Sequence, residues 1–371
     1  MVEVGKMEFE NVIGQSRVKT NLVSSILNKR LAHAYLFTGQ QGVGKDALAL
    51  AIALGLNCEN QRIGGCGTCP TCTRMMRLED PGFHFIQPVP SRPKSMKEEK
   101  YNEILRERSI LRLQNPYKPV NFAPELSTLP VIGIEPIRSI KQEARLMLFG
   151  SRMRIILISH AEKMTVPAAN SLLKLLEEPP GDTVLFLTTA VPEQLLSTIV
   201  SRCQRVRLDM ICESDVEEAL IRRWQVPSEK ARFIAGMSGG SLQRALEMSE
   251  GDFECRRDLA MQLLETMVEN DPMVQIEGFE TLQKNLDKHE IREVLQVLLM
   301  HLRDLQRLRI GLTDGLLNAD RRNSLDDFNQ RHPDLDPGRA ARSVLRAIDF
   351  SQKNVYLPLI LFSLDQHSRK L

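Results

Sequence analysis

The chain has 371 residues, with 49 basic against 47 acidic side chains and a formal net charge of +2. This length predicts two or three domains, and the balanced charge excludes nucleic-acid binding through a global basic field. No run of 18 or more apolar residues occurs, and the first fifteen residues lack the apolar core of a signal peptide, so we expect a cytoplasmic protein.

The first two hundred residues alternate short apolar runs with helical patterns. Three runs predict buried strands: AYLFTG, RIILIS (154–159) and TVLFLTT (183–189). The helix DALALAIALGLNC follows the first run, and VPAANSLLKLLEEPP predicts a helix that ends before Pro179. This order predicts an α/β domain over residues 1–208, with a parallel sheet covered by helices on both faces.

The stretch GQQGVGKD (39–46) resembles a phosphate-binding loop of the form GxxxxGK[ST]. The predicted phosphate ligands are the backbone N–H groups at Gly39, Gly42 and Gly44 and the side chain of Lys45. Asp46 stands where a hydroxyl normally holds Mg²⁺. A carboxylate can bind Mg²⁺ itself, but it brings negative charge close to a polyanion, and it can equally serve as a first-turn acid.

The strand that should end in catalytic carboxylates ends differently. After RIILI come Ser159 and His160, whereas a nucleotide hydrolase needs one carboxylate for the metal and usually another to position water. His160 could act as a base, but a lone histidine at a strand end is more often structural, and Glu162 lies farther along. Together with Asp46, these residues predict a site that does not hydrolyse ATP and leave ATP binding open.

Four cysteines lie close together in the pattern C-x7-C-x2-C-x2-C, within a module at 58–72: Cys58, Cys66, Cys69 and Cys72. In a long chain without a signal peptide, this pattern predicts a closed structural Zn²⁺ site rather than disulfides. An iron–sulfur cluster is the weaker alternative, because the further cysteine followed by proline is missing, and unligated thiols are another. The remaining cysteines are expected to be ordinary buried residues: Cys203, Cys212 and Cys255.

Residues 88–131 interrupt the α/β pattern. They are rich in proline and charge and have only a short central helical pattern, which favours a solvated loop over a partner surface and indicates an insertion. From 209 onward the patterns are helical, first over 209–250 and then over 251–371. The run IREVLQVLLMHLRDLQRLRIGL in the last block has a single apolar stripe.

Several phrases together resemble one family: FENVIGQ (9–15), HAYLFTGQQGVGK (33–45), the four-cysteine cluster, AANSLLKLLEEPP (168–180) and Ser201-Arg202-Cys203. They are similar to the bacterial DNA polymerase III clamp loader, a group of AAA+ proteins, over most of residues 8–250. The resemblance implies an AAA+ α/β domain of the P-loop NTPase type with a zinc module, a helical lid at 209–250 and an all-α collar for oligomerisation at 251–371. The apolar stripe of the last block equally suits a self-contained bundle.

The resemblance also implies roles for single residues. Arg202 matches an arginine finger that reaches the γ-phosphate held by a neighbouring subunit, although spacing alone favours a surface arginine paired with an acid. Thr188 or Thr189 matches the sensor-1 position and Arg244 the sensor-2 arginine, and both can be vestigial here.

The leading hypothesis is a non-hydrolysing member of this family. It would assemble with gamma/tau and delta subunits in a hetero-pentamer, help to load the sliding clamp on primer-template DNA, and have no membrane partner. The alternative is an active AAA+ ATPase that uses Lys45, Asp46 and an unusual base. A zinc-dependent DNA-binding module is a weaker third hypothesis, because the charge is near neutral and no basic base-reading helix is evident.

Overall fold

The computed structural model describes residues 9, 12–28, 30–119, 121–122, 126, 128–143, 153–269, 271–286 and 288–352. Within these ranges, no helix is both long and apolar enough to cross a membrane. Contacts divide the described residues into two compact units. The first lies within 1–216 and 240–246, and the second lies within 217–239 and 247–371.

The first unit is built on a sheet of five parallel strands. They are β1 (Ala34–Thr38), β2 (Phe83–Ile86), β3 (Arg154–Ile158), β4 (Thr183–Thr189) and β5 (Gln204–Arg207). The strand order is β2-β3-β4-β1-β5, and Leu36 of β1 lies opposite Leu187 of β4 and Arg205 of β5. The connections that leave the neighbouring strands β1 and β4 run in opposite directions along the sheet. Ligand-binding crevices form at such a point, outside the carboxyl ends of the strands.

Fifteen α-helices lie within the described ranges. In the first unit they are α1 (Ser16–Leu27), α2 (Lys45–Asn57), α3 (Pro70–Met76), α4 (Glu98–Gln114), α5 (Ile134–Glu143), α6 (Val166–Glu177) and α7 (Ser197–Arg202). Then follow α8 (Glu213–Trp224), α9 (Ser228–Ser238), α10 (Leu242–Glu250), α11 (Phe253–Val268), α12 (Pro272–Asn285), α13 (Lys288–Arg309), α14 (Arg322–Arg331) and α15 (Pro337–Gln352). Short 3-10 turns lie at Ala161–Lys163, Pro192–Gln194 and Ala319–Arg321.

Alternation along the strands creates two apolar faces, since successive side chains point to opposite sides of a sheet. One face packs with α5, α6 and α7 in a single cluster of buried aliphatic residues that includes Leu36, Ile156 and Leu185. Helix α2 packs against β1, β3 and β4. It is outside that cluster and buried nearly all round, as expected for a helix whose apolar residues do not follow one stripe.

The three predicted strands and the helix that ends before Pro179 are confirmed. The prediction of a solvated loop with only a short central helix in 88–131 is wrong for its central part, where α4 has seventeen residues and buries Arg112 and Leu113. The prediction that the scattered cysteines are buried holds for Cys203 and is wrong for Cys212 and Cys255, which are exposed.

The second unit is helical, and α13 packs between α11, α14 and α15. Its core is tied by polar contacts. The Arg257 guanidinium makes two hydrogen bonds of 2.8 Å to the Asp320 carboxylate, and the buried Asp304 accepts the backbone N–H of Asn318 at 2.8 Å. The proposed domain boundaries at 208 and 250 remain predictions.

Candidate functional site

The glycine loop lies where the sequence predicts it, between β1 and the start of α2. Gly42 has φ +82°, and a Cβ there would lie 2.1 Å from Ser241 Oγ, so only glycine fits. Gly44 caps α2 in the left-handed region with φ +94°. The backbone of Gly42 also accepts a hydrogen bond of 3.1 Å from the N–H of Leu242, the first residue of α10.

Lys45, the residue expected to reach outer phosphates, is folded back on its own loop. Its Nζ donates to the carbonyl oxygens of Gly39 at 2.8 Å and Gln40 at 2.7 Å. Burial lowers the pKa of Lys45, and the nearby carboxylates of Asp46 and Glu162 offset part of that effect. In this arrangement the ammonium group satisfies backbone carbonyls that point into the loop.

Asp46 is the centre of a buried polar cluster. Its Oδ2 accepts hydrogen bonds from Arg112 Nη2 at 2.6 Å and Ser159 Oγ at 2.7 Å, and its Oδ1 accepts one from Thr188 Oγ1 at 2.5 Å. We call these four residues the Asp46 cluster. It brings together three residues that the sequence singled out: Asp46 from α2, Ser159 from the end of β3 and Thr188 from β4.

The cluster keeps the Asp46 carboxylate ionised. Burial alone raises the pKa of Asp46, but the Arg112 guanidinium, the His160 ring and the two hydroxyl donors outweigh that effect and hold it well below its usual range. The carboxylate is therefore a permanent buried anion, neutralised by an arginine of the same chain.

The end of β3 carries a second polar pair. His160 has a left-handed backbone, φ 51°, and its Nδ1 lies 3.2 Å from Glu162 Oε1. Burial raises the pKa of Glu162, but hydrogen bonds from His160 and Thr189 outweigh it, so the net shift is downward. These contacts agree with a structural His160. The other sensor-1 candidate, Thr189, accepts the N–H of Val191 at 3.0 Å.

Arg202 lies apart from the Asp46 cluster, at the end of α7. Its Nη2 lies 2.8 Å from Glu177 Oε1, and its Nη1 donates to the carbonyl of Thr198 at 3.0 Å. The side chain remains 36% exposed. The pairing with an acid is therefore present, on a surface that a partner can reach.

Arg244 lies on α10, which begins beside the glycine loop. Its side chain is half-buried, and its backbone N–H donates to Ser241 Oγ at 3.4 Å. Arg244 is two residues from Leu242, which contacts the loop, and its role as a sensor stays a prediction.

The four cysteines of the 58–72 module converge. Their sulfur atoms all lie within 4.8 Å of one another, and tetrahedral Zn²⁺ with bonds of about 2.3 Å places sulfur atoms roughly 3.8 Å apart. The backbone N–H of Cys69 donates to Cys66 Sγ at 3.2 Å, and that of Cys72 donates to Cys69 Sγ at 3.4 Å. A closed set of four sulfur donors fits a structural metal ion.

The thiols differ in acidity. Burial acts to raise the pKa of Cys66, but hydrogen bonds from Thr68 and Cys69 outweigh it and lower the pKa to about 5. Burial raises the pKa of Cys72 above its usual range. A cation bound among the four sulfurs would favour the thiolate form of each.

Two residues at this site escape sequence reasoning, and both come from the 88–131 insertion. Arg112 is 66 positions from Asp46, and Tyr117, which is 4% exposed, accepts the N–H of Ile13 at 2.8 Å. One sequence signal points to such a partner: an aspartate at the start of an apolar helix needs a charged or hydrogen-bonding partner if it is buried.

Comparisons with known proteins give the family. Residues 14–211 match the family model described as DNA polymerase III, delta subunit. The chain is 30% identical over 312 residues to the delta' subunit of DNA polymerase III from Bacillus subtilis, covering 82% of this chain and 81% of that relative. It is 24% identical over 246 residues to the tau subunit from the same organism, covering 65% of this chain and only 37% of the tau subunit.

Among solved structures, a gamma subunit-related protein of DNA polymerase III from Thermotoga maritima matches with a TM-score of 0.35 and 17% identity, over 93% of this chain and 96% of that chain. The family rests instead on the sequence matches, one of which covers more than half of the chain and the other more than four-fifths of it. The chain belongs to the DNA polymerase III delta-prime subunit family.

Proposed function

We propose that the chain is a non-hydrolysing subunit of a clamp loader. In this role it assembles with gamma/tau and delta subunits in a hetero-pentamer, which loads the sliding clamp on primer-template DNA. Family membership supports the assembly role, and the Asp46 cluster is the observation that supports the absence of hydrolysis. Both oxygens of Asp46 are engaged within the chain, and Ser159 supplies a hydroxyl where a metal-binding carboxylate is needed.

Arg202 is the proposed contribution to chemistry in a neighbouring subunit. A guanidinium matches the geometry of phosphate oxygens and stabilises the charge that develops during phosphoryl transfer. The exposed position of Arg202 at the end of α7 and the exposure of its acidic partner, Glu177, support this role, since a surface ion pair of this kind is weak and easily exchanged.

The module at 58–72 is proposed to hold Zn²⁺ through Cys58, Cys66, Cys69 and Cys72. The ion would supply a tetrahedral cross-link for a segment that has only the short helix α3. Around it, the backbone N–H groups of Cys69 and Cys72 fix the orientation of the sulfur atoms by hydrogen bonds.

The proposal is tested first by ATP turnover of the isolated chain. We expect no DNA-stimulated hydrolysis, because both oxygens of Asp46 are engaged and Ser159 and His160 stand where carboxylates would position metal and water. Robust turnover that disappears on Lys45→Ala would show an active ATPase and overturn the proposal.

The role of Arg202 is tested in the reconstituted loader. Arg202→Ala should still assemble, judged by gel filtration, and should lower the ATPase rate of the complex by about 10³-fold or more at the affected site, as for arginine fingers in general. Arg222→Ala is the matched control, since Arg222 also pairs with an acid at the surface, Glu218 at 2.8 Å. Equal ATPase rates for the loaders that contain the Arg202 and Arg222 variants would contradict the proposed arginine-finger role of Arg202.

A further inference from the structure

The insertion at 88–131 delivers an arginine to the glycine loop. Helix α4 ends at Gln114, and Arg112 in its last turn is only 8% exposed. Its Nη2 lies 2.6 Å from Asp46 Oδ2, while its Nη1 donates to the backbone carbonyl of Lys118. The guanidinium thus has two partners: the Asp46 carboxylate on α2, and the Lys118 carbonyl within the insertion itself.

The guanidinium occupies the electrostatic position that a metal ion has in a nucleotide-hydrolysing site. There, Mg²⁺ is held between the residue after the loop lysine and an acidic residue at the end of a neighbouring strand. Here the same two positions are Asp46 and Ser159, and Asp46 Oδ2 accepts hydrogen bonds from both Ser159 Oγ and Arg112 Nη2. A divalent cation added at this point would face the fixed positive charge of Arg112 in a buried environment, where such repulsion is poorly screened.

Tyr117 covers the other side of the loop. A Cβ on Gly44 would lie 2.7 Å from Tyr117 Oη, so the phenol lies directly against the start of α2. The same oxygen accepts the N–H of Ile13 at 2.8 Å, which links the segment before α1 to the loop. Phosphates bind to N–H groups at such a helix start, and Tyr117 packs against the residue that caps it, Gly44.

We propose that residues 112–117 act as a built-in ligand of the degenerate nucleotide site. Arg112 takes the place of the magnesium ion, and Tyr117 covers the helix start at which phosphates would bind, so the full chain does not take up magnesium nucleotide. The insertion thereby acquires a function, which is to keep a phosphate-binding loop folded and closed without a nucleotide. This inference deepens the proposed non-hydrolysing role and rests on it.

The test is a binding titration on the full chain with a fluorescent ADP analogue, in magnesium buffer and in EDTA. The opened variant is Asp46→Thr with Arg112→Leu and Tyr117→Ala, which restores the loop hydroxyl, removes both buried charges together and clears the loop. Arg106→Ala is the matched control, because Arg106 lies on the same helix and pairs with Glu79 at the surface. Circular dichroism checks that each protein is folded.

We expect no saturable binding by the wild type or by Arg106→Ala, and at least tenfold tighter, magnesium-dependent binding by the opened variant. Saturable binding of the magnesium nucleotide by the wild type overturns the inference, as does a folded opened variant that binds no better than the wild type. If the opened variant fails to fold, Tyr117→Ala alone is titrated, and it should show saturable binding where the wild type shows none; a folded Tyr117→Ala variant without saturable binding overturns the inference.

The outcomes separate this inference from the proposed function. A wild-type chain that binds magnesium nucleotide without hydrolysing it defeats the built-in ligand and leaves the non-hydrolysing role intact. A loader in which Arg202→Ala has no effect defeats the arginine finger and leaves the closure of the site untouched.

Discussion

At the scale of single residues, the Asp46 cluster shows how a changed loop residue becomes part of the core. A buried carboxylate without a partner costs several kcal/mol, yet Asp46 has three donors, one of them charged. The cost is offset only while Arg112 is present. The loop and the insertion are therefore coupled in stability.

This coupling predicts a non-additive mutant cycle. Arg112→Leu alone should lower the free energy of unfolding by about 3–5 kcal/mol, because it leaves a buried unpaired charge. Asp46→Thr alone leaves the arginine unpaired and should also destabilise, whereas the double variant should recover about 2–3 kcal/mol relative to the sum of the single changes. Urea unfolding followed by far-ultraviolet circular dichroism measures all four proteins.

The control for this cycle is Arg106→Leu, whose side chain is 56% exposed and which should change stability by no more than about 0.5 kcal/mol. Strict additivity of the Asp46 and Arg112 changes would show that the ion pair contributes nothing.

Three of the four residues of this cluster could be predicted from the sequence, and the fourth could not. Asp46, Ser159 and Thr188 lie at fixed positions in the loop and at strand ends, so motif spacing identifies them. Arg112 is one of several arginines in a charged segment, and only the tertiary fold brings it to Asp46. Motif spacing therefore identifies the loop and strand residues of the cluster but not the arginine that pairs with Asp46.

At the scale of elements, α2 connects the glycine loop to the cysteine module. Gly55 in its last turn allows the chain after the helix to return closely, since a Cβ there would lie 1.7 Å from the carbonyl oxygen of Ile63. Ile63 lies just before Cys66. The close packing of the cysteine module against the end of α2 thus depends on glycine at position 55.

Gly55→Ala should therefore destabilise the chain, although alanine normally stabilises a helix by about 1 kcal/mol relative to glycine. The clash must move the backbone near Ile63, at a cost of about 1–3 kcal/mol, and should weaken zinc retention. A chelator competition and thermal melting measure the two effects. Gly133→Ala, in open space, is the control, and zinc retention equal to that of this control would contradict the prediction.

Elements differ in how well the sequence predicts them. The central strands β1, β3 and β4 are continuous apolar runs and are found by pattern alone. β2 and β5 are missed, because β2 is only four residues long and β5, QRVR, is a mostly exposed edge strand. Helix α4 is underestimated, because its charged sequence gives no apolar stripe, and its buried contacts are confined to its last turn.

At the scale of the whole molecule, the two compact units have separate cores, so we expect separate unfolding transitions. The single tryptophan of the chain, Trp224, belongs to the second unit. Its fluorescence therefore reports on that unit alone, while the sheet of the first unit contributes to circular dichroism.

The second unit should lose stability in acid because of His301. This side chain is fully buried on α13, and neither ring nitrogen has a hydrogen-bond partner within the part of the chain that the structure describes. Burial, with the positive charges of Arg257 and Arg321 outweighing Asp320 and Asp258, lowers the pKa of His301 to about 3.

The direction of this pH dependence follows from proton binding by the folded and unfolded chain. Below about pH 6.5 the unfolded chain takes up a proton at this residue, whereas the folded chain does not until the pH approaches about 3, so unfolding is favoured as pH falls. His301 alone should reduce stability by up to about 1.4 kcal/mol for each pH unit within that window. His301→Leu should flatten the pH dependence of urea unfolding followed by Trp224 fluorescence, and His33→Leu, at an exposed position of the first unit, should not. A wild-type slope in the His301 variant would mean that the folded unit takes up the proton as readily as the unfolded chain, through a partner or water that reaches the ring.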